Sequence, residues 1–214
     1  MLENLIQEVD RLSAEGDAPE DVDTFIRSFA LIDDELRIQL ELRSNYLASS
    51  AWVVETQGMR GFEFSHLWGC DLPELVTEHP ALLRFSEPES VLHFRGSSPS
   101  PLAILGALYQ QHLSVVGDWL RFSDGVSTSM FSTAPWLKEH GIVATGPVSV
   151  LESYKSVLES YGLLCSIPPG RAPGRFRDGK WDLGDIPVKC LLIGSNWVVA
   201  ESFVAALESG PVES

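Results

Sequence analysis

The chain has 214 residues, 44% of them apolar and six of them tryptophan, so it is long enough to bury a real core and reads as a folded globule. A net charge of −15, from 30 acidic against 15 basic side chains, disfavours nucleic-acid phosphates and anionic membrane surfaces as partners. No apolar run is long enough for a bilayer and no secretory leader is visible. The three scattered cysteines do not form a disulfide framework, so a reducing, cytoplasmic setting is expected.

In chain order, Leu2, Leu5, Ile6, Val9 and Leu12 share one helical face, which predicts an amphipathic helix to about Ala14. Asp17 and Glu20 resemble a capping box, and Val22, Phe25, Ile26 and Phe29 predict a second helix to about Ile32. This opening is acidic: the first 44 residues carry twelve Asp or Glu and four Arg. At Leu36 the period changes to two. Leu36, Ile38, Leu40 and Leu42 alternate with polar residues, the mark of a half-buried strand.

Strands are expected over 51–56 and 62–66, a short helix over 71–78 and a strand over 90–95. The central stretch 101–130 reads as a buried helix to His112, then a strand, an Asp124-Gly125 hairpin turn and a returning strand. A helix over 133–140, a strand over 142–144, a helix from Pro147 to Gly162 and a strand over 163–167 follow. Residues 168–187 are loop chemistry, rich in Pro, Gly, Arg and Asp; a strand over 188–193 and a closing helix over 198–207 complete the reading.

The expected fold is α+β and a single domain. It has a mixed, mostly antiparallel sheet of about seven or eight strands, five or six helices and an acidic N-terminal helical pair. The expected divisions are 1–33 for those helices packing on the main domain, 34–208 for the α+β domain and 209–214 for a fraying tail.

No chemical motif stands out. His66, Cys70 and Asp71 are an incomplete ligand set, and no metal or cofactor is expected. There is no nucleophile elbow and no phosphate-cradling glycine loop, and no catalytic residue is assigned. His112 and Asp118, with His66 and His93, are the residues around which an enzyme reading would gather. The basic island Arg171, Arg175, Arg177, Lys180 and Lys189 fits docking on the protein's own acids.

The leading expectation is a non-enzymatic protein-binding protein, of the inhibitor or immunity type, that neutralises a basic partner such as a toxin or nuclease. Its expected partner-binding residues are the acids Asp21, Asp23, Asp33, Asp34 and Glu35 and the aromatics Trp119, Trp136 and Trp181. Two alternatives stand beside it: an enzyme with a His/Asp site, and a carrier whose curved sheet encloses an apolar cavity for a small ligand.

Overall fold

A computed structural model describes residues 2–15, 22–44, 49–68, 70–98, 100–132, 139–177, 180–182 and 187–208. The fold is α+β. Nine strands make a six-stranded and a three-stranded sheet, against seven or eight expected, and two further strands pair as a ribbon. The chain packs as two compact units, one of residues 1–79 and 187–214 and the other of residues 80–186.

The first unit opens with α1 (Leu2–Glu15). Leu2, Leu5, Val9 and Leu12 recur on one face and are all buried, with α1 lying against the sheet. Full burial of such a side chain stabilises by about 1.5–3 kcal/mol. The sheet comprises β1 (Val22–Ile32), β2 (Glu35–Ser44), β3 (Ser50–Glu63), β4 (Pro73–Val76), β10 (Lys189–Ile193) and β11 (Asn196–Leu207). Its spatial order is β1-β2-β3-β11-β10-β4, and every neighbouring pair is antiparallel. Leu36, Ile38, Leu40 and Leu42 point into its core, as their alternation requires.

Four expectations fail here. Val22–Ile32 is a strand and not a second helix. Its register against β2 slips between Ile26 and Ser28, so Ile26 faces Leu40 and Phe29 faces Ile38 on the same side. One extra residue in a strand turns a period of two into a step of three. The spacing of Val22, Ile26 and Phe29 therefore imitates a helix. Residues 198–207 form β11, whose β-branched Val198, Val199 and Val204 pair along the length of β3. Residues 51–63 are one long strand, and 73–76 pair with β10 where a helix was expected.

The ends of the sheet are drawn towards each other by the segment before β4. Thr24 and Cys70 exchange backbone hydrogen bonds of 3.1 and 2.9 Å, and Ile26 N–H donates to Leu67 O at 2.7 Å. Buried Asn196 holds this segment. Its Oδ1 accepts from the backbone of Ser65 (2.7 Å) and His66 (3.0 Å), and its Nδ2 donates to His66 O (2.6 Å) and Ile193 O (3.0 Å).

The second unit places β5 (Glu89–Arg95) between β6 (His140–Pro147) and β7 (Leu164–Ser166). Helices α3 (Pro101–Val116) and α6 (Val148–Ser160) pack together and share the core of Leu92, Phe94, Ile104, Leu108, Leu151 and Leu158. A 3-10 turn (Pro80–Leu82) leads into α2 (Leu83–Ser86). The expected hairpin at Asp124-Gly125 is absent: α3 runs on to Val116, and 122–125 form the short helix α4 (Phe122–Gly125). Ile104, Leu108, His112 and Val116, four residues apart, line one buried stripe, which keeps the helix going beyond His112. Next comes α5 (Ser129–Ser132); 133–138, where a helix is expected, lie outside the described residues. Within 168–187 the ribbon β8 (Arg175–Arg177) with β9 (Lys180–Asp182) replaces part of the expected loop.

Candidate functional site

The most exposed apolar surface of the first unit lies at the far end of the β1–β2 hairpin, and the turn builds it. Asp33 (φ 50°) and Asp34 (φ 64°) form a two-residue loop with both residues left-handed. Such a type I′ turn follows the twist of the strands, and aspartate tolerates its backbone. The Glu35 carboxylate is taken up internally: it accepts from Gly58 N (2.8 Å), Met59 N (3.3 Å) and Thr56 Oγ1 (3.0 Å). Thr56 Oγ1 in turn accepts from Leu36 N at 2.7 Å. The turn is thus pinned to β3. Asp33 and Asp34 are exposed and make no ion pair among the described residues.

Beside the turn, Phe29, Leu31 and Ile32 are 44%, 55% and 51% exposed; Trp68, which follows Leu67 at the Ile26 end of the edge, is 79% exposed. Phe29 stacks at a tilt on Phe64 (centroids 4.7 Å apart), and Phe64 on Phe62 (5.4 Å). The three rings therefore pack together and leave Phe29 half exposed. Grouped apolar exposure of this sort marks an interaction surface more than scattered single residues do.

The strand edge here is open as well. Ile32 and Glu35 flank the two-residue loop and so form a hydrogen-bonded pair, as do Ala30 with Arg37 and Ser28 with Gln39. The alternate residues Phe29 and Leu31 then aim their N–H and C=O groups away from β2. Nearer the strand's start, the outward groups of Thr24 and Ile26 meet Cys70 and Leu67. Phe29 and Leu31 meet no such partner among the described residues. On the opposite face of the hairpin, buried Glu41 is bracketed by Arg27 and Arg43, and Arg43 lies 4.5 Å from the centre of the Phe25 ring.

Of the residues named from sequence, Asp23, Asp33 and Asp34 are exposed on this hairpin, while Glu35 serves the turn. Asp21 and Trp136 lie outside the described residues, as does the side chain of Trp181 in β9. Trp119 is half-buried in the second unit. Phe29, Leu31 and Trp68 were missed. The signal available was Asp33-Asp34 directly before a period-two strand, which reads as a two-residue hairpin loop once 22–32 is taken as its partner.

The histidine constellation does not assemble. His112 is buried, with Nδ1 2.5 Å from the Tyr154 hydroxyl and Nε2 2.5 Å from Leu120 O. A carbonyl only accepts, so Nε2 carries a hydrogen and donates to Leu120 O, while the Tyr154 hydroxyl is available to donate to Nδ1. Burial pushes the Tyr154 hydroxyl well above its usual range, which keeps that donor in place. Asp118 and His93 are exposed, and His66 belongs to the other unit. Among the described residues no three His, Cys, Asp or Glu side chains cluster as metal ligands would. Burial pushes the thiols up, to about 11 for Cys165 and about 12 for Cys190, so neither is a ready nucleophile.

A second feature of the first unit is a cleft of about 520 Å³ between α1 and the sheet. Leu2, Ile6, Leu75 and Phe203 form its apolar walls, with Glu3 and Lys189 among its polar lining. Comparison with family models, characterised proteins and solved structures finds no match.

Proposed function

We propose that the protein acts by binding another protein, and that the end of the β1–β2 hairpin is the contact surface. The observation that carries this is the grouping of half-exposed Phe29, Leu31 and Ile32 with Asp33 and Asp34, exposed acids that make no ion pair among the described residues. Apolar anchors provide affinity once water is excluded, and flanking charges steer the encounter and select its sign. The matching partner has a basic surface around an apolar centre, which fits the inhibitor or immunity type of activity.

The test is comparative capture from a native lysate at low salt, with wild type against the Asp33→Asn, Asp34→Asn, Trp68→Ala triple variant. The expected result is a basic protein retained by wild type and lost by the variant. Identical recovery by both would overturn the reading. The cleft beneath α1 favours a second reading, a small apolar ligand held by Leu2, Ile6, Leu75 and Phe203. Ile6→Trp should abolish the fluorescence gain of an apolar dye if that cleft is the site.

A further inference from the structure

We infer that a second copy of this chain covers the open edge of β1, pairing antiparallel about a two-fold axis at Ala30. The inference does not require a basic partner, since it uses only residues of this chain, though the two readings share Phe29, Leu31 and Asp33.

Three features fit that occupant. The outward-facing residues are Phe29 and Leu31, one on each side of Ala30. Turned about Ala30, Phe29 of one copy faces Leu31 of the other, and each such pair exchanges both backbone hydrogen bonds. The edge is therefore self-complementary in backbone and in side chain, as a two-fold contact requires. The register ends at the bulge, where Arg27 lies at the level along the edge that Asp33 of the second copy reaches, so opposite charges meet at each end. Arg27 sits with Arg43 on the single carboxylate of Glu41, so the local charge balance leaves a cation to share.

Trp68 supplies the third feature. It follows Leu67, whose carbonyl bonds Ile26 at the point where the open edge stops. In the two-fold arrangement the Asp33-Asp34 turn of the second copy ends at the level of Arg27, short of the Leu67–Trp68 segment that bonds Ile26. An apolar side chain that is 79% exposed then lies just past the point where the incoming turn stops. An apolar edge left bare, even a short one, is a template for uncontrolled association, and a closed two-fold pairing removes it.

The experiment combines mass and cross-linking on the full chain. Light scattering at about 100 μM should give twice the 23.5 kDa monomer mass, since weak pairs form only at such concentrations. Leu31→Pro removes an outward N–H while leaving the β1–β2 ladder intact, and should give a monomer. Ala30→Cys should form a dimer-linked disulfide on mild oxidation, because facing non-hydrogen-bonded residues have Cα atoms about 4.5 Å apart. Ser28→Cys should not, as its counterpart lies about 13 Å away along the strand. A monomeric wild type, a Leu31→Pro dimer, or equal cross-linking of the two cysteine variants would each overturn the proposal. If Leu31→Pro fails to fold, the contrast between Ala30→Cys and Ser28→Cys decides.

Discussion

At the scale of single residues, two buried polar groups hold the first unit together, and each has a measurable signature. Asn196 is fully buried and satisfies two backbone N–H groups and two carbonyls at once. Asn196→Ala strands those groups away from water, which should cost about 3 kcal/mol in urea unfolding. Glu41 has a pH signature instead. Burial works to raise its carboxyl, but hydrogen bonds from Arg43 and Arg27 outweigh that and hold it below the usual range. A carboxylate depressed in the folded state adds stability that is in place above its unfolded pKa, and loses it as the pH falls through the folded value. The gap in urea midpoint between wild type and Glu41→Gln should therefore be widest at neutral pH and close below about pH 4. A gap that persists in acid would assign the effect to packing instead.

Elements show where local pattern suffices and where it does not. Helix α1, strand β2 and helix α6 are legible because each buries apolar residues that recur with the period of its own element. Strand β1 is not, because its bulge writes a helical spacing into a strand, and only the pairing with β2 reveals it. The central stretch misleads differently. His112 and the residues after it look like a strand entry, yet a buried ring bonded to Tyr154 and Leu120 keeps α3 helical through them. The surface inherited both kinds of error. Asp33 and Asp34 are visible as charge, while Phe29 reads as the core of a helix that does not exist and Leu31 falls within the same span. The turn itself gives a test of the hairpin. A type I′ loop favours glycine second, so Asp34→Gly should raise the melting temperature, by about 0.5 kcal/mol of added stability. Loss of stability would mean that the Asp34 side chain has a role in the turn.

Across the whole molecule, the charge asymmetry and the open strand edge predict opposite responses to salt. Capture of a basic protein by Asp33 and Asp34 should weaken steeply as salt rises, since exposed charges are screened within about 8 Å at physiological ionic strength. Pairing of two copies rests mainly on backbone and apolar contacts and should change little. Both draw on Phe29 and Leu31, so adding a captured partner to the dimer should yield complexes containing one copy of this chain. Light scattering of the mixture across a salt series separates the two. The contact seam is also short. Cys70 and Leu67 already occupy the first half of β1, so a guest strand finds only Phe29 and Leu31 to bond. Such brief pairing implies rapid release: whatever settles on this edge is held by few main-chain links, and its hold lasts only as long as the side chains around it stay dry.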